Sequence, residues 1–170
     1  QDVYNIPSTI TFKLLKQESD QLGFIHQKYQ EYYNGVKVEY GIVTFHSKEG
    51  NVISLTSEYY PIVELNNTVS LSNEQAFQKA VSHIGAQKYL WENPEMAKVM
   101  DDYKKPEGEL VVLPVFSRTS ASKNNVQAYR MAYKFDIYST SHISRGNLYM
   151  DANTGEALFY DAIIKHADNN

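Results

Sequence analysis

The stretch from Gly23 to Val43, GFIHQKYQEYYNGVKVEYGIV, decides how this chain is read. Asn34-Gly35 supplies the two positive-φ positions of a type I′ turn, so the residues on either side read as the arms of a β-hairpin. In the first arm Ile25, Tyr29 and Tyr33 fall on one face, because alternate residues of a strand point the same way. In the second arm Val36, Val38, Tyr40 and Ile42 share a face. Ser47 to Asn51 makes the following turn, and Val52 to Tyr60 reads as a third strand. The result is a meander with one face to bury.

Upstream of the hairpin, the apolar patch Ile10 to Leu15 and the polar run Gln17-Glu18-Ser19-Asp20-Gln21 read as a strand leading into a helical turn. Downstream, Pro61 to Asn67 looks like the connection to a second unit. That unit opens with a helix: Ser72 and Gln75 fit a capping box, Ala76, Phe77, Ala80, Val81 and Ile84 recur at helical spacing, and Gly85 ends the pattern. Pro94 is placed to begin a second, shorter helix through Met100. Strands resume at Glu109 to Phe116, and the small polar run Ser117 to Asn125 reads as a loop. In the next strand Tyr129, Met131, Tyr133, Phe135 and Ile137 alternate with Arg130, Lys134 and Asp136, which predicts one buried and one wet face. Strands around Asn147 to Met150 and Glu156 to Ile164 flank the turn-forming run Asp151-Ala152-Asn153-Thr154-Gly155. No internal repeat is evident.

Composition sets the outer limits. A chain of 170 residues, 42% apolar and 21% charged, has room for one ordinary folded domain or two small ones. Fourteen tyrosines and seven phenylalanines favour β-rich architecture. A net charge of −4 with scattered Lys and Arg argues against a nucleic-acid binder. No apolar run reaches the roughly 20 residues of a membrane-crossing helix. Cysteine is absent, which removes disulfides and thiolate metal sites.

The residues of common catalytic sites are present without their spacing. None of His26, His46, His83, His142 and His166 has the partner that H-E-x-x-H zinc chemistry requires one helical turn away. Ser139-Thr140-Ser141-His142 lacks a G-x-S-x-G elbow and reads as a polar loop. Asp101-Asp102 lies beside Lys104-Lys105 and reads as a solvated helix end rather than an acid/base pair. The glycines sit singly at turns and offer no phosphate cradle. Asn66-Asn67-Thr68 is a glycosylation sequon by pattern alone.

His26, Tyr29, Gln30, Tyr33-Asn34-Gly35-Val36 and Val38 together resemble the fungalysin/thermolysin propeptide motif, which belongs to the pro-regions of secreted zinc metalloproteases. Lys28 and Gln30-Glu31 depart from the pattern usual there. Tyr129-Arg130-Met131-Ala132-Tyr133 and the closing Asp151-Ala152-Asn153-Thr154-Gly155-Glu156, after a helix and several strands, resemble the PepSY domain of the same pro-regions.

The resemblance implies an α+β chain: a fungalysin/thermolysin-propeptide module over residues 1–66, an antiparallel meander, then a PepSY module over 67–164 with a cystatin-like helix on an antiparallel sheet. The tail, 165–170, would lie near the processing junction. It implies a non-catalytic pro-region, chaperone and inhibitor of a thermolysin-like catalytic domain joined to it in cis, secreted or periplasmic, and removed on maturation. No cofactor is expected in this chain, and zinc is expected in the partner. No nucleic acid and no membrane insertion are expected. Docking would fall to His26, Tyr29, Gln30, Tyr33, Tyr129 and Tyr133, although Tyr29 and Tyr33 read most simply as core aromatics and His26 reads equally as a structural residue. His166, Asp168, Asn169 and Asn170 would block the active site. The alternative is a free-standing secreted or periplasmic module acting in trans, binding a separate protease or peptides along a strand edge.

Overall fold

A computed structural model of the chain describes residues 6–55, 59–117 and 125–164. The elements in chain order are β1 Ile10–Ser19, β2 Phe24–Tyr33, β3 Val36–Lys48, β4 Asn51–Leu55, α1 Asn73–Ile84, a 3-10 turn Leu90–Glu92, α2 Pro94–Val99, β5 Glu109–Phe116, β6 Val126–Ser139, β7 Ser144–Asp151 and β8 Ala157–Ala162. The fold is mostly β, a mixed sheet of eight strands with few helices. Two compact units divide the chain, residues 1–67 with 111–130 and residues 68–110 with 131–170. The compact units are thus not contiguous in sequence, and both β5 and β6 start in one unit and finish in the other.

In the first unit β1, β2 and β3 form an antiparallel meander, and β4 pairs with the far end of β3. The near end of β3 pairs with β5 in parallel, Lys37 with Val111 and Val38 with Val112, a departure from the purely antiparallel arrangement expected. Asn34 (φ 45°) and Gly35 (φ 81°) make the turn read from the sequence. β1 runs on through Gln17, Glu18 and Ser19 where a helical turn was expected, because each of these pairs with β2. The core gathers Ile10, Tyr33, Val38, Val43, Tyr60, Ile62, Val111 and Val112, all buried.

In the second unit β6, β7 and β8 are antiparallel neighbours. α1 begins at the N-cap Ser72, whose hydroxyl accepts from Gln75 N while the Gln75 side chain accepts from Ser72 N, and ends at Gly85 in the left-handed conformation. Both caps satisfy backbone groups that the helix leaves unpaired, as the sequence predicts. α1 buries Ala76, Phe77 and Ala80, and the Phe77 ring sits 5.6 Å from that of Phe135 on β6. Met131, Tyr133, Phe135 and Ile137 are buried as the alternation requires. Each such side chain contributes about 1.5–3 kcal/mol by leaving water. A second cluster joins Leu90, Ala97, Tyr103 and Tyr138, with Trp91 and Ile164 against it.

Candidate functional site

The hairpin residues singled out by the sequence do come together, but around an irregularity. Gln30 pairs with Ile42 and Tyr32 with Lys37, so Val38 to Gly41 bulge out opposite the single residue Glu31. Tyr40 sits at the bulge with φ 63° and is exposed, so Val36, Val38, Tyr40 and Ile42 do not share one buried face as expected. A bulge shifts the alternation, and the side chains beyond it change sides.

Buried polar groups hold the bulge. The Gln30 amide donates to Val38 O at 2.7 Å, Gly41 O at 3.2 Å and Glu31 O at 3.1 Å, tying together carbonyls on both sides of the bulge. Glu31 is fully buried, and its Oε1 accepts from Tyr60 N at 2.7 Å. Gly41 is required here, since a Cβ would lie 2.9 Å from both Glu31 Cβ and Val38 O. Tyr33 is buried too, and its hydroxyl accepts from Leu65 N and donates to Leu65 O, fastening the segment after Tyr60. Tyr60 and Tyr129 meet edge to face at 6.2 Å. Burial first, then the Tyr129 and Glu31 charges, push the Tyr60 hydroxyl up to about 12. Burial and then Glu31 raise Tyr129 as well.

Of the proposed docking residues, Gln30, Tyr33 and Tyr133 are therefore buried, and their polar atoms bond within the chain; the Tyr133 hydroxyl donates to Leu71 O at 2.8 Å. Tyr29, Tyr129 and His26 are half-buried. Tyr29 lies directly opposite both Leu14 and Val43, and its ring meets Phe45 at 5.5 Å. Phe45 in turn is opposite Leu55. Leu14 (51% exposed) and Leu55 (49%) close this row at either end, so an apolar stripe crosses all four strands of the meander and stays open to water. His166, Asp168, Asn169 and Asn170 lie outside the described residues.

His26 stands on the opposite face. Its Nε2 lies 2.9 Å from Asp20 Oδ2 and its Nδ1 faces His46 Nδ1. The hydrogen bond from His26 holds the Asp20 carboxyl below its ordinary value, helped by the backbone N–H groups of Phe24 and Leu22.

A cavity of about 390 Å³ in the second unit is lined by Asp101, Tyr103, Lys134, Asp136 and Arg145 among others. Arg145 forks onto Asp136 at 3.0 and 2.8 Å and lies over the rings of Tyr103 and Tyr138. The Arg145 charge is thus paired within the chain. Among the described residues no group of three or more His, Asp or Glu is arranged to hold a metal ion.

The bulged meander spans the segment that matches a known family model, the Fungalysin/Thermolysin Propeptide Motif, over residues 10–59. Likeness to a curated protein extends past the motif. Bacillolysin of Bacillus amyloliquefaciens is 30% identical over 161 residues, which are 91% of this chain and 28% of that protein's length. Among solved structures, the C-terminal domain of Bacillus megaterium YpeB covers 91% of this chain and 57% of its own at 14% identity, with a TM-score of 0.44.

Sequence reasoning identified the motif's Gln30 and Tyr33 but missed Glu31, Gly41, Asp20 and His46. Gly41 carried a signal, an isolated glycine inside a strand pattern marking a bulge. Two consecutive buried polar residues, Gln30 and Glu31, carried none, because alternation assigns one of any two neighbours to water.

Proposed function

We propose that this chain is the pro-region of a thermolysin-like zinc metallopeptidase, an intramolecular chaperone and inhibitor of that catalytic domain in cis, exported with it and removed on maturation. One observation carries the reading: the propeptide motif over 10–59 lies within a 161-residue likeness to bacillolysin that takes in nearly the whole chain but little more than a quarter of the relative. The remainder of a comparable precursor would then be the catalytic domain, with zinc bound there. Residues 67–164 serve as the PepSY module in this reading, with α1 set on the β6–β7–β8 sheet.

The function is binding. A pro-region that prefers the native enzyme stabilises it by mass action, and a covalent link raises the effective concentration of the partners. The stripe Leu14–Tyr29–Phe45–Leu55 supplies the docking face, since open apolar rows of this kind mark interaction sites. Tyr29 is its aromatic centre, and aromatic residues are favoured in interface cores. The tail, with His166 and Asp168 to Asn170, would lie across the active-site cleft.

The test is to follow the earliest translation product with an antibody against this chain, then to refold the denatured catalytic domain with and without it. A precursor larger by a catalytic domain, and recovery of protease activity that requires the chain, are expected. A product never larger than this chain plus a signal peptide overturns the reading and leaves a module acting in trans.

A further inference from the structure

The face of the meander opposite the apolar stripe carries a hydrogen-bonded row of Asp20, His26 and His46. His26 and His46 are directly opposite each other on β2 and β3, with their Nδ1 atoms 2.5 Å apart. Asp20 holds His26 Nε2 at 2.9 Å and is itself pinned, its Oδ1 accepting from Leu22 N at 2.8 Å and Phe24 N at 3.0 Å. The His26 side chain is 34% exposed, so the pair is partly shielded from water.

Hydrogen-bond chemistry limits how many protons this row can hold. A carboxylate only accepts, so His26 Nε2 carries a hydrogen. With both rings neutral, His26 Nδ1 is a bare acceptor and His46 Nδ1 donates to it. With one added proton, His26 donates at both nitrogens and His46 Nδ1 accepts. A second added proton places a hydrogen on each Nδ1, so that two donors and two positive charges confront each other across the strand pair. We propose that Asp20, His26 and His46 form an acid-operated latch on the meander, closed with up to one added proton and opened by the second.

The surroundings fit one added charge and not two. On β1, Glu18 is opposite His26, but its carboxylate is engaged by Lys16 at 2.7 Å, whose hydrogen bond holds it low. On β2, Lys28 lies two residues along on the same face. On β3, Lys48 does likewise, with its Nζ 5.0 Å from the Phe24 ring that stacks on His26. β4 brings Ser54 opposite His46 and contains no titratable side chain. Asp20 is the carboxylate bonded to His26. An opened latch has room for two added protons where the closed one, with its facing Nδ1 atoms, has room for one, so added protons favour opening. The latch stands independently of the propeptide reading.

The experiment is amide hydrogen exchange and imidazole nitrogen NMR on the isolated 170-residue chain, with EDTA present throughout. Between about pH 7.5 and about pH 5.5, exchange at Ile25, Gln27, Phe45 and Ser47, corrected for the intrinsic rate, should accelerate about tenfold relative to amides of β6 and β7. His46→Gln should abolish the acceleration, because a carboxamide can offer His26 either its oxygen or its N–H. His26→Gln should do the same. Equal acceleration in wild type and His46→Gln, or none in wild type, overturns the latch. Should the variants fail to fold, the wild-type spectra decide. A hydrogen on His46 Nδ1 and none on His26 Nδ1 at about pH 7.5 is the expected pattern, and the reverse assignment overturns it.

Discussion

The two long hairpins of this chain solve the same problem by opposite means. β6 and β7 keep one register from Ala132–Asp151 to Ser139–Ser144, and their inward side chains are an aromatic and aliphatic layer closed by α1. β2 and β3 break register at Gln30, and the break is filled by a buried amide and set beside a buried carboxylate. The apolar hairpin depends on area and shape, which tolerate gradual change. The bulged hairpin depends on a few hydrogen bonds, which are costly to leave unmade. Polar residues buried for the second reason look like surface residues in a sequence.

The largest effect is expected on the apolar side. Phe135→Ala should cost about 3–5 kcal/mol, because a fully buried ring against Phe77 leaves a cavity; the fluorescence of Trp91, which also packs on Phe77, reports it in denaturant titrations. Gln30→Leu should come next at about 2–4 kcal/mol, since Val38 O and Gly41 O lose their donor, and faster amide exchange around the bulge should accompany it. A neutral Gln30→Leu would dissolve the contrast and show that both hairpins are held by apolar burial. Gly41→Ala, which adds one methyl against backbone, should cost about 1–3 kcal/mol by the same titration.

Smaller effects sharpen the comparison. Tyr33→Phe keeps the ring and removes two hydrogen bonds to Leu65, for about 1 kcal/mol. Alkaline pH should loosen the first unit. The Tyr60 hydroxyl is pushed up to about 12 when folded, above its unfolded value of about 10. Its contribution is complete below the unfolded value and is lost as pH rises through the folded one. Tyr60→Phe should flatten that loss in a denaturant series run at increasing pH.

Legibility followed from how local each device is. The Asn34-Gly35 turn, the Ser72–Gln75 capping box and the Gly85 cap each depend on residues within a few positions of one another, and all stand as read. In β6 the buried row Met131, Tyr133, Phe135 and Ile137 stands, but the face expected to be wet also buries Ala132 and Tyr138. The boundary of β1 was misjudged because Gln17, Glu18 and Ser19 have little strand preference of their own, and pairing with β2 decides their conformation. The site was legible as a motif and not as a geometry. Gln30 and Tyr33 were singled out for docking, and both turn inward, whereas Leu14 and Leu55, which share the open stripe with Tyr29, are distant in sequence.

The sequence by itself determined the turns, the helix with its caps, the alternating strand of the second unit, and a likeness to propeptides, because each is written in short-range spacing of residue types. Tertiary structure alone decided that β3 and β5 run parallel, that residues 111–130 return to the first unit, and that a bulge buries Gln30 and Glu31 side by side. It also set His26 against His46. Those outcomes depend on which distant strand arrives alongside, and a partner brought from far along the chain leaves no periodicity to read.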